Sequence, residues 1–172
     1  MQIKNHIRLI IISLLLFLIA NACSMSYSFT GASISPDIKT VSIQYFQNQA
    51  PIVMPSLSRD FTEAMKDRFI SESNLKVTND MGDLNFEGEI TGYEIRPQAI
   101  QSGDIAASNR LTITVRVKFS NTKDPKQDFD TSFSQFAEYP SEKNFESVER
   151  ELVNEILKKL TEEAFNKAVV NW

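Results

Sequence analysis

Histidine is nearly missing from this sequence: His6 is the only one in 172 residues. Cysteine is as scarce, with Cys23 alone, and a single thiol cannot form an intramolecular disulfide. From residue 24 onward there is no imidazole base, no histidine metal ligand and no thiol nucleophile. Acid–base catalysis would then fall to carboxylates. Glu87 and Glu89 share one strand face, about 6.5–7 Å apart at ~3.3 Å per residue, a separation that suits carboxylate chemistry on sugars. The plainer reading is a solvated face on which they pair with Arg116 or Lys118 across a ladder. The chain is therefore read as no enzyme, with no metal site. An excess of positive charge is missing too: the net charge is −4, which argues against nucleic acid as a partner. Long apolar runs are also lacking. The longest, Leu9 to Ala20, is interrupted by Ser13 and falls short of the roughly 18 residues needed to cross a bilayer.

That short run is informative in its place. Lys4 and Arg8 precede it, and Asn21, the small residue Ala22 and then Cys23 follow. Basic, apolar, small-residue site is the order of a secretory signal. Residues 1–22 are read as a signal peptide, and Cys23 as the new N-terminus, lipidated with a diacylglycerol and an N-acyl (palmitate-type) chain. Two or more chains give stable membrane anchoring. Ser24 follows the cysteine where an aspartate would signal inner-membrane retention, and no acidic run comes after it. By resemblance to bacterial lipoproteins, the expected location is the outer membrane, on its periplasmic face. No other cofactor is expected. Residues 23–36 read as the tether, and 37–172 as a single domain. From Cys23 onward 16 basic residues face 22 acidic ones, a net charge of −6.

The domain shows two periodicities. Residues 38–46 alternate apolar and polar as far as Tyr45, which predicts a half-buried strand, and 47–56 read as a loop. Ser56 is placed to cap a helix in which Leu57, Phe61, Ala64, Met65 and Phe69 form one stripe. A short strand is expected over 75–78 and a turn at 79–82. Leu84, Phe86, Gly88 and Ile90 then share one strand face, and the strand runs to Ile95, before Pro97. Residues 97–108 read as a flexible loop. Leu111, Ile113, Val115, Val117 and Phe119 alternate with Thr112, Thr114, Arg116, Lys118 and Ser120, the clearest strand of all. After a turn over 121–127 a last strand covers about 128–138. Phe133 and Phe136 break its period of two, so a bulge or a twist is expected there. Apolar residues recur every four positions from Val148 to Ala168, which predicts a helix over about 144–169. Trp172 is expected to pack back on the body. Strands with one apolar and one polar face suit a sheet covered on one side. The expected fold class is α+β: a two-layer sandwich, with two helices packed on one face of a mixed, roughly four-stranded β-sheet.

Four segments carry a resemblance to a known family: Ser26 to Ile34, Ile38 to Phe46, Gly82 to Tyr93 and Leu111 to Val115. Together they resemble the LptE family of lipopolysaccharide-assembly lipoproteins, as found in Bacteroidetes. The resemblance implies two helices on one side of a small mixed sheet and no covalent chemistry. It implies two partners, an LptD-like outer-membrane β-barrel, which the chain would plug and help to assemble, and lipopolysaccharide itself.

Two sets of side chains become candidates in that light. Lys123, Lys126 and Arg96 are basic residues in or near loops and could pair with lipid phosphates. Thr114, Arg116 and Lys118 mark a polar sheet surface suited to the polar lumen wall of a barrel. A different expectation is a stand-alone periplasmic lipoprotein that binds an envelope lipid or glycan unaided.

Overall fold

The computed structural model describes residues 34–52, 54–98 and 108–170. The predicted signal peptide, Cys23, most of the tether, most of the 97–108 loop and Trp172 lie outside them. The strands are β1 (Thr40–Ile43), β2 (Gln47–Asn48), β3 (Lys76–Thr78), β4 (Leu84–Pro97), β5 (Ser108–Asn121) and β6 (Phe129–Pro140). The helices are α1 (Leu57–Glu72) and α2 (Phe145–Val169), and a 3-10 turn covers Pro125–Gln127.

The strands form one mixed sheet in the order β3-β1-β4-β5-β6, with β2 also pairing β4. Pairings among β1, β2, β3 and β4 are parallel; β4–β5 and β5–β6 are antiparallel. The architecture is α+β, as expected, but the sheet has six strands rather than four. The short strand expected over 75–78 is β3; the strand that was not expected, β2, is too short to show a period. β2 has two residues and lies in the segment read as loop; β3 has three.

The odd-numbered residues of β5, Leu111 to Phe119, are all buried, and so are Leu84, Phe86 and Ile90 opposite them on β4. Both helices cover this face. A chain of rings joins the layers: Phe165 of α2 meets Phe69 of α1 at 4.9 Å, Phe69 meets Phe86 at 5.0 Å, and Phe86 meets Phe119 at 4.8 Å. Phe119 then stacks on Phe129 of β6 at 5.1 Å. Aromatic pairs at such distances add about 0.5–1.5 kcal/mol beyond the area they bury.

Three local expectations are corrected. The bulge lies in β4, not β6: the β4–β5 register slips between Ile90 and Gly92, while β5–β6 pairs without a break. The slip moves the buried positions of β4 from even to odd numbers, which carries Tyr93 inward. Its hydroxyl donates to Glu149 Oε1 at 2.6 Å, and burial followed by that carboxylate pushes its pKa up. Phe136 breaks the period of β6 because it lies on the outer face, where the Arg110 guanidinium sits 3.9 Å from its ring centre.

Ser56 makes no side-chain cap; only its carbonyl serves α1, accepting from the Asp60 N–H at 2.9 Å. Asn144 does cap α2, its Oδ1 accepting from the Glu146 N–H at 3.1 Å. Finally, Tyr45 is exposed and Phe46 is buried, against the alternation. The chain leaves the ladder after Ile43, and the Phe46 N–H donates to Thr62 Oγ1 of α1 at 3.1 Å. That turn drops the Phe46 ring onto Phe61, 4.9 Å away, and over Gly88. A Cβ at Gly88 would lie 2.7 Å from Phe46 Cε1 and would run into the Arg116 carbonyl.

Candidate functional site

The outer face of β4–β5–β6 is covered by no described element. Its side chains are those that alternate with the core residues. Lys118 Nζ lies 2.6 Å from Glu87 Oε1 directly across the ladder. Arg116 faces Glu89 at 3.8 Å and reaches sideways to Asp130 with two hydrogen bonds, 2.8 and 2.7 Å. Thr114 and Ser134 share a hydroxyl hydrogen bond of 3.0 Å. Arg110 Nε donates to Glu138 at 3.0 Å near the far end.

The Arg116 guanidinium holds Asp130 below the usual carboxylate range, and the Glu87 carboxylate raises Lys118. Exposed pairs of this kind are screened by water and contribute little to stability, so they set the character of the surface and not the fold. The candidates Thr114, Arg116 and Lys118 thus lie together on one face. Glu87 and Glu89 are on it as well, each facing a cation, as the solvated-face reading expected.

Tyr45 stands at the rim of this face. With Gln44, Gln47, Glu89 and Arg116 it lines a groove of about 480 Å³. Sequence reading missed it, because alternation placed Tyr45 inward. The polar flank of Gln44 and Gln47 was the available signal.

The basic loop candidates do not converge. Lys123 and Lys126 sit beside the start of β4; Arg96 sits near its far end. At ~3.3 Å per residue that separation is about 40 Å. Arg96 pairs with Glu94 at 2.7 Å. Lys123 Nζ lies 3.2 Å from Asp83, a carboxylate that also accepts from the Lys39 N–H at 2.9 Å and from the Thr40 N–H and hydroxyl. The Lys39 amide first, and Lys123 next, pull the Asp83 pKa down to about 2. An incoming phosphate would have to compete with Asp83 for Lys123. Lys126 has no ion pair among the described residues.

No helix of the described residues is long and apolar enough to cross a membrane.

These features define a class: a two-layer α+β domain that seals one sheet face with helices and presents the other as an open polar surface. The chain belongs to the LptE, lipopolysaccharide-assembly, family, whose model matches residues 38–168. Lipopolysaccharide assembly in the cell envelope is accordingly its family function. The fold is similar to that of a minor lipoprotein from Acinetobacter baumannii, at TM-score 0.51 and 14% identity, covering 76% of this chain and 92% of that one. It is also similar to a lipoprotein B from Nitrosomonas europaea, at TM-score 0.50 and 12% identity, covering 83% and 88%. A hypothetical protein from Chlamydia trachomatis matches at TM-score 0.52 and 12% identity, covering 78% and 99%. No curated protein matches by sequence.

Proposed function

We propose that this chain is the lipoprotein subunit of an outer-membrane lipopolysaccharide translocon, held at the periplasmic face by acyl chains on Cys23. It plugs an LptD-like β-barrel, assists the barrel's assembly and aids delivery of lipopolysaccharide to the outer leaflet. It performs no covalent chemistry. Family membership supports this reading, and one observation carries it: the outer face of β4–β5–β6 is wide, polar and uncovered, while the opposite face is fully buried. A polar barrel lumen is a fitting counterpart, because fixed charges and hydroxyls can exchange water for polar wall groups. Thr114, Arg116 and Lys118 are the contact residues. Lys126 is the favoured phosphate contact, ahead of Lys123, which already serves Asp83, and of Arg96, which pairs with Glu94.

The test is to recover the tagged chain from detergent-solubilised outer membranes, with a photo-crosslinker at position 114. A stoichiometric large β-barrel protein, crosslinked from that position, is expected. A clean monomer at every salt concentration would sink the plug and leave a stand-alone lipid or glycan binder, for which the Tyr45 groove is the obvious place to look.

A further inference from the structure

Strand alternation fails on the rim of the open face, where β1 passes into β2. Between the pairs Ile43–Phe86 and Gln47–Glu89 this segment advances four residues while β4 advances three. The extra residue makes the join a bulge, a device that re-aims a side chain beside a site. Gln44 and Tyr45 are consecutive, yet both are exposed. The backbone on either side of Tyr45 is held: the Gln44 N–H donates to the Phe86 carbonyl at 2.9 Å, and the Phe46 N–H to Thr62 Oγ1 at 3.1 Å. Phe46 takes the inward place, which the absence of a Cβ at Gly88 allows. The Tyr45 ring is left at the edge of the outer face with 59% of its surface open.

The groove beside that ring excludes two kinds of ligand. Lys118 is engaged by Glu87 at 2.6 Å, and Arg116 by Asp130 through two hydrogen bonds. Glu89 adds a third carboxylate against these two cations. No lining cation is left unpaired for a phosphate, and the balance of charge repels one. Tyr45 is also the single aromatic or aliphatic side chain of the lining, so an acyl chain finds little apolar surface to cover.

Neutral hydrogen bonding remains. The Gln47 amide makes no side-chain hydrogen bond among the described residues. Gln44 donates from Nε2 to Ser42 Oγ at 3.0 Å and keeps its side-chain carbonyl free. Glu87 meets Lys118 through Oε1, leaving Oε2. Amides both donate and accept, and carboxylates accept. The face of the neighbouring aromatic ring is negative. A pyranose sugar matches both features. The C–H bonds on its face suit the ring, and the hydroxyls at its edge donate and accept.

We propose that the Tyr45 groove binds a neutral pyranose of an envelope glycan, stacked on Tyr45 with its hydroxyls on Gln44, Gln47 and Glu87. At about 480 Å³ the groove has the size of a small-molecule cleft. The proposal goes beyond the plug reading and does not depend on it, since every group it uses belongs to this chain. The glycan of lipopolysaccharide and the glycan strand of the cell wall both offer such rings.

The test is titration calorimetry on the full-length tagged chain, purified in a detergent without a sugar headgroup. The probes are chitohexaose, which stands for the cell-wall sugar, and the dephosphorylated glycan released from lipopolysaccharide. Saturable binding of at least one is expected, and the tighter of the two names the source. Tyr45→Ala is expected to weaken that binding at least about tenfold, and Tyr45→Phe, which keeps the ring face, by less than about threefold. An anionic hexamer of galacturonate is expected to bind more weakly than the neutral sugar. Failure of both neutral probes overturns the proposal. So does native-like binding by Tyr45→Ala, or galacturonate binding as tightly as the neutral sugar. Should Tyr45→Ala melt early, the bound sugar carrying a diazirine is photolysed on the native chain. Label on residues 44–47 or 87–89 supports the proposal; label elsewhere, or none, overturns it. Barrel recovery from membranes is a separate readout, so failure of the plug reading and failure of this one are told apart.

Discussion

Asp83 ties three segments that are distant in sequence: the entry to β1 through Lys39 and Thr40, the start of β4, and the turn after β5 through Lys123. Its pKa is lowered from 3.8 to about 2. A carboxylate with a depressed folded pKa contributes stability that is complete above its ordinary value and is lost as pH falls through the lower one. Asp83→Asn is therefore expected to lower the melting temperature at pH 7. The gap between variant and native chain should close between pH 4 and pH 2. Thermal melts across that range check it, and a gap that stays constant with pH would show that the charge is not the cause. Gly88 illustrates a different residue-scale constraint. Its identity is set by the close approach of Phe46 and of the Arg116 carbonyl, contacts that no local pattern announces.

The elements were legible where they are long. The start of α1 and both ends of α2 were expected within a residue or two of where they lie, because an apolar stripe at helical spacing is a strong signal. The alternation of β5 was equally clear. β2 was missed, since two residues carry no period, and the bulge in β4 was placed in β6 instead. Phe133 and Phe136 suggested a bulge only because one exposed ring was taken as core; Arg110 over that ring is what makes its exposure tolerable. The ring chain from α2 through α1 to β6 predicts where packing matters most. Phe86 stands at its middle, fully buried and touching rings from α1 and β5. Phe86→Ala is expected to destabilise the domain by about 3–5 kcal/mol, read from the shift in urea midpoint. A loss under about 1 kcal/mol would mean the site collapses to fill the cavity.

At the scale of the whole molecule, β4 and β5 separate the basic candidates into two ends about 40 Å apart at ~3.3 Å per residue. If lipid phosphates are bound at the end holding the turn after β5, Lys126→Glu is expected to weaken lipopolysaccharide binding severalfold, with Arg96→Glu leaving it unchanged. Binding of labelled lipopolysaccharide to the two variants checks this. Equal effects would mean that general surface charge is being read, and no effect from Lys126→Glu would remove that turn from consideration.

From the residues alone came the predicted signal and lipidation site, the α+β class, the two helices, the principal strands and the family resemblance. Each of these rests on local order: a charge–apolar–small succession, a period of 3.6, a period of 2, or a short motif. The tertiary structure decided what depends on residues far apart. It added the short strand β2, turned Tyr45 out and Phe46 in, and set Asp83 against Lys123. It also paired Glu87 and Arg116 with their neighbours and left β6 as a long open edge. Those outcomes follow from which strands meet and in what register, and register is fixed by the burial of a whole face at once.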